Sequence, residues 1–148
     1  MLCSYQLVTK NKYIKMKKTQ YKADLGKFLS QQQWQIFGTT TYHSNFSSNT
    51  NRKLMEKTFN ELNEVSQMFF VSETFDQSSN VHAHFLIKSD RPDATIKSLK
   101  KKFNYYGRNA IELVQYTPEN LTDEGTLKLG YYVTKNVSSG ADFDYLVK

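Results

Sequence analysis

The sequence predicts an α+β domain built on an antiparallel sheet with helices packed against it. Two observations carry this expectation. Short aromatic and β-branched runs alternate with segments whose apolar residues recur at helical spacing, and two of those runs are separated only by a Ser- and Asn-rich turn, as in a hairpin. At 148 residues the chain has room for one hydrophobic core. It shows no internal repeat, low-complexity tract or linker, so residues 1–148 are expected to form a single domain.

Residues 1 to about 17 are Lys-rich and weakly patterned, which suggests a basic N-terminal arm. From Thr19 to Gln33, Tyr21, Leu25, Phe28 and Leu29 fall on one helix face, interrupted by Gly26. Trp34 to Tyr42 reads as a strand. A polar loop follows, with Asn49, Thr50 or Asn51 suited to cap the next helix. That helix is expected to run to about Gln67, with Leu54, Met55, Phe59, Leu62 and Val65 on one face. Met68 to Phe75 and Val81 to Ile87 read as strands joined by the turn Asp76 to Asn80. Pro92 and Asp93 open a helix that ends near Gly107. Ala110 to Tyr116 is a strand, Leu127 to Asn136 a helix, and Phe143 to Val147 a candidate short strand. This order matches a sheet with its helices on one face.

Composition narrows the chemistry. The formal charge of +6 permits a polyanionic partner, and much of the excess lies in Lys10 to Lys22 and Lys97 to Lys102. Ten Tyr and ten Phe supply rings either for the core or for base stacking. Cys3 is the only cysteine, which excludes an internal disulfide and a multi-cysteine zinc site. No apolar stretch approaches the ~20 residues of a membrane span. Lys and Asn break up the apolar residues of the first segment, so no signal peptide is read there and an intracellular location is expected.

Three groups of residues carry chemistry. His82 and His84 stand two apart on a predicted strand, so both imidazoles project from one face, a good start for a divalent metal site. Glu73, across the hairpin turn, could complete a His, His, Glu set with open positions for a substrate oxygen. Those ligand types suit zinc as well as magnesium or manganese. On the last predicted helix, Lys135 can sit beside Tyr132 or Tyr131. A phenol titrates near 10, so a nucleophilic tyrosine needs such a cation.

Taken in order, these groups resemble the motifs of the HUH endonucleases, in particular the rolling-circle replication initiators (Rep). The Thr-rich first strand, Ile36-Phe37-Gly38-Thr39-Thr40-Thr41-Tyr42, is followed by His82-Ala83-His84 with Glu73, and then by Tyr132-Val133-Thr134-Lys135. The resemblance covers residues 36 to 135. It implies a five-stranded antiparallel, ferredoxin- or RRM-like sheet with the histidines on a central strand. It also implies a Mg2+ or Mn2+ ion and a tyrosine that becomes linked to a DNA 5′-phosphate. The Tyr-x-x-Lys spacing selects Tyr132 as nucleophile, with Tyr131 the alternative. The partner so implied is single-stranded DNA at a replication origin. Thr39, Thr41, Lys97, Lys101 and Arg108 are candidate DNA contacts, and Arg52, Lys53 and His43 lesser ones.

Competing readings are a tyrosine transposase of the insertion-sequence type and a non-catalytic single-stranded nucleic-acid-binding module. A relaxase would usually carry a third His in the cluster, and a phosphodiesterase a second His-x-Thr motif. The sequence has no phosphate-binding Gly-x-x-x-x-Gly-Lys loop, so helicase activity would lie in another domain or a host helicase.

Overall fold

Helices and strands follow one another in the order α1 (Lys18–Ser30), β1 (Ile36–Thr41), α2 (Ser48–Glu61), β2 (Val65–Thr74), β3 (Val81–Ser89), α3 (Pro92–Phe103), β4 (Ile111–Gln115), α4 (Asp123–Thr134) and β5 (Asp142–Val147). A 3-10 turn, Asn104–Tyr106, follows α3. The computed structural model describes residues 18–42, 46–74, 81–116, 123–137 and 140–148. The basic arm, Cys3, His43 and the turn Asp76 to Asn80 lie outside the described residues.

The strands form one antiparallel sheet in the order β4-β1-β3-β2-β5. This is the five-stranded α+β architecture expected, with β3, and so His82 and His84, at its centre. Among the described residues, no helix is long and apolar enough to cross a membrane.

The helices cover both faces of the sheet, not one. On one face α2 and α3 pack Leu54, Met55, Phe59, Leu99 and Phe103 against Met68, Phe70, Val81, Ala83, Phe85 and Ile87. On the other, α1 and α4 pack Leu29, Leu129 and Val133 against Phe69, Val71 and Leu86. The unbroken apolar runs Met68 to Val71 and Phe85 to Ile87 explain the difference. A strand buried on both sides has no polar alternation to show. The helical spacing of Tyr21, Leu25 and Phe28 is realised, and all three lie against the second core.

Two boundaries of α2 also differ from expectation. Its cap is Ser47, whose hydroxyl accepts from the Thr50 amide at 3.1 Å. Asn51 instead lies buried within the helix and donates to the Ser72 hydroxyl at 2.7 Å, a long-range bond that capping preference does not foresee. The helix ends at Glu61 because Leu62 adopts an extended conformation, and Val65 begins β2 rather than continuing the helical face. A β-branched residue favours that outcome. In the third helix the α-helical part stops at Phe103, and the 3-10 turn Asn104–Tyr106 carries the helical segment on to Gly107, near its expected end.

Candidate metal centre and its tyrosine

Strand register brings the first three side chains together. Glu73 and Thr41 flank His82 on either side, and Val71 and Thr39 flank His84. Directly paired residues project from the same face of a sheet, so Glu73, His82, His84, Thr39 and Thr41 share the α1/α4 face. Glu73 Oε2 lies 2.9 Å from His82 Nε2 and 3.5 Å from His84 Nε2. Among the described residues, Glu73, His82 and His84 each offer one ligand atom, and these atoms all lie within 4.8 Å of one another.

The cluster is deep for such polar groups, with Glu73 and His84 each 4% exposed. Glu73 Oε1 and His84 Nε2 are buried without a hydrogen-bond partner among the described residues. Two unsatisfied acceptors in one cluster would each cost about 1–3 kcal/mol, a cost that a coordinated cation removes. Burial pushes the His84 pKa down to about 4, opposed by the Glu73 charge and reinforced by His82 and Lys135. His84 is therefore neutral near pH 7, the protonation state that a metal requires of an imidazole. The residues fit a divalent cation. Two imidazoles and a carboxylate do not by themselves choose among magnesium, manganese and zinc.

The surroundings hold His84 in place. Thr39 Oγ1 lies 3.0 Å from Nδ1, and the Phe37 ring stacks over the imidazole at 6.0 Å with planes 13° apart. Phe37 was not legible as a site residue, although it sits two positions before Thr39 and so shares its strand face. Glu112, paired with Thr39 from β4, adds an exposed carboxylate at the rim of the same face.

From α4, Tyr132 and Lys135 reach this cluster. The Tyr132 ring is 5.1 Å from the His84 ring and meets Phe37 edge-on at 6.0 Å. Lys135 Nζ lies 4.3 Å from the Tyr132 ring centroid and 3.8 Å from Glu73 Oε2. Tyr131 and Tyr132 are almost equally exposed, at 43% and 45%, so exposure does not separate them. Orientation does. Tyr131 lies over α1, where a methyl on Gly26 would come within 3.0 Å of its ring. At Gly130 a methyl would stand 2.5 Å from the Gly26 carbonyl oxygen, so the two helices touch backbone to backbone. Lys22 Nζ, donating to the Lys135 carbonyl at 2.7 Å, ties the end of α4 to α1.

Other candidates lie apart from the cluster. Lys97 and Lys101 are exposed on α3, which covers the opposite face of the sheet. Arg108 is exposed in the turn before β4, next to Asn109 and Ala110. Ala110 accepts from the Thr41 amide at 2.9 Å, which sets this turn at the same end of the sheet as His82 and Glu73. Lys53 is exposed on α2. Arg52 is committed elsewhere, donating to Asp142 and Asp144 at 2.7 Å each and to the Phe143 carbonyl at 2.9 Å, which clasps α2 to β5.

No family model, curated protein or solved structure matches this chain.

Proposed function

We propose that this chain is a metal-dependent endonuclease and strand transferase of the HUH type, which nicks and joins single-stranded DNA through Tyr132 and initiates rolling-circle replication. One observation carries the reading. A buried Glu73, His82, His84 cluster on the sheet meets a tyrosine and a lysine delivered by a separate helix. A purely structural ion site has no need of a phenol and an ammonium at its open side.

Glu73, His82 and His84 would hold a magnesium or manganese ion, which when bound would supply Lewis acidity toward a phosphoryl group. Tyr132 Oη attacks the phosphorus. Its new P–O bond forms as the bond to the 3′-oxygen breaks, and the proton that the phenol gives up is balanced by the one the departing oxygen takes up to leave as a 3′-hydroxyl. The 5′-phosphate stays esterified to Tyr132. The number of phosphoester bonds is unchanged, so an incoming 3′-hydroxyl can reverse the step without ATP. Lys135, whose Nζ lies beside the Tyr132 ring, offers a charge to a phosphate oxygen. Lys97, Lys101 and Arg108 would neutralise DNA backbone farther from the centre. An origin sequence in single-stranded form is the substrate, inside the host cell, with strand separation left to a helicase domain or a host helicase.

The test incubates wild type, Tyr132→Phe and Tyr131→Phe with origin-like single-stranded DNA and manganese and looks for a covalent adduct. Loss in Tyr132→Phe alone is the expected result. Loss in Tyr131→Phe alone moves the nucleophile by one residue, and no adduct from wild type defeats the nuclease reading.

A further inference from the structure

The Thr39 hydroxyl is the hydrogen-bond partner of His84 Nδ1, at 3.0 Å. The opposite ring nitrogen, Nε2, lies 3.5 Å from Glu73 Oε2 and makes no hydrogen bond among the described residues. A neutral imidazole carries one proton, and its position decides which nitrogen can bind a cation. With the proton on Nδ1, the bond to Thr39 is satisfied and Nε2 keeps its lone pair toward the cluster. With the proton on Nε2, a buried N–H would point at the cluster without an acceptor in good geometry, which is rarer in proteins than an unsatisfied acceptor. Thr39 pairs with His84 across the β1–β3 ladder, so its hydroxyl is placed by rigid backbone rather than by a loop.

We infer that Thr39 is a positioning residue for the metal centre: it accepts from His84 Nδ1–H, fixes the tautomer and ring orientation, and so presents Nε2 as the metal ligand. This role differs from a DNA contact, and it rests on the reading of Glu73, His82 and His84 as a metal site, though not on the nuclease activity. Outer partners of ligating histidines are commonly carboxylates or backbone carbonyls, and a threonine hydroxyl is a weaker member of the same class. Its neighbour Thr41, one step along the same face, is paired with His82 and exposed, and makes no such bond to His84.

The experiment uses the full chain and three proteins: wild type, Thr39→Val and Thr39→Ser. Valine keeps the shape and the strand preference of threonine, so the fold should survive, and circular dichroism checks that it does. Mn2+ affinity is measured by titration followed by electron paramagnetic resonance. The tautomer of His84 is read without metal from long-range 1H–15N correlation spectra. Thr39→Val should weaken Mn2+ binding by about 10- to 100-fold, the usual cost of losing such a partner, and should move His84 away from the pure Nδ1–H form. Thr39→Ser, which keeps the oxygen, should restore both. Undiminished Mn2+ affinity in Thr39→Val overturns the inference while the metal site stands. Equal loss in Thr39→Ser also overturns it, because the methyl group rather than the hydroxyl would then matter. Failure of wild type to bind Mn2+ removes the metal reading itself, and this role with it.

Discussion

Gly130 of α4 rests against the Gly26 carbonyl of α1, so closely that a methyl group there would stand 2.5 Å from that oxygen. This contact sets the rotation of α4 about its own axis. Successive helical residues point about 100° apart, so once Gly130 faces α1, Tyr131 and Tyr132 cannot both face the sheet. Tyr131 is left over α1 and Tyr132 is turned to His84. Gly130→Ala gains up to about 1 kcal/mol in helix propensity. Against this, the added carbon meets backbone that cannot rotate away, an overpacking cost of about 1–3 kcal/mol. A lower melting temperature is expected, with slower adduct formation. At Gly26 the obstacle is the exposed Tyr131 ring, which can swing aside, so Gly26→Ala should be close to neutral. Equal melting temperatures for wild type and Gly130→Ala would show that the helices are not held by this contact.

Lys135 should matter to chemistry rather than to metal binding. Its ammonium lies near both Glu73 and the Tyr132 ring but supplies no lone pair to a cation. Lys135→Gln is expected to slow adduct formation by about 10²- to 10³-fold, the range for losing one electrostatic donor at a transition state. Mn2+ affinity should hold or rise, since a competing positive charge is gone. A matching fall in Mn2+ affinity would place Lys135 among the groups that build the site.

The opposite face of β1 offers a separate test of packing. Gly38 lies beneath Phe85, whose ring would stand 2.0 Å from an added methyl group. Gly38→Ala should destabilise the protein by about 1–3 kcal/mol through overpacking. Phe85→Leu makes room, so the double variant should be more stable than the sum of the two single changes predicts, as coupled neighbours behave. Strict additivity in denaturant titrations would contradict the close approach.

Stability should also depend on pH through His84. Its pKa lies near 4 in the folded protein against an ordinary 6.5, chiefly because of burial. Between those values the unfolded chain takes up a proton that the folded one refuses. The contribution of a neutral His84 is therefore fully present above about pH 6.5 and declines as pH falls toward about 4. Urea midpoints for wild type and His84→Gln, compared at about pH 7 and about pH 5 without metal, isolate this component from general acid effects. Wild type should lose more stability than the variant. Parallel losses would mean that His84 titrates normally.

Much of the site is legible because strand and helix periodicities are local. That His82 and His84 share a face follows from their spacing of two, and that Lys135 can meet Tyr132 follows from a spacing of three. Glu73 is legible only through the hairpin, because its place opposite His82 requires the register of two strands. Phe37 and the bond from Thr39 to His84 escape, since both depend on which strand lies beside β3. The burial of both sheet faces was written in the runs Met68 to Val71 and Phe85 to Ile87, but an apolar run does not say what covers it.

What the chain's own order of residues settles is which side chains travel together: the paired imidazoles, the tyrosine with its lysine, and the apolar stripes of the helices. Folding alone settles which of these groups meet. The strand order β4-β1-β3-β2-β5 puts Thr39 and Glu73 on either side of the histidines, and the Gly26–Gly130 contact turns Tyr132 rather than Tyr131 toward them. Both outcomes depend on close packing between segments distant in sequence, where a single methyl group decides how near two backbones can come.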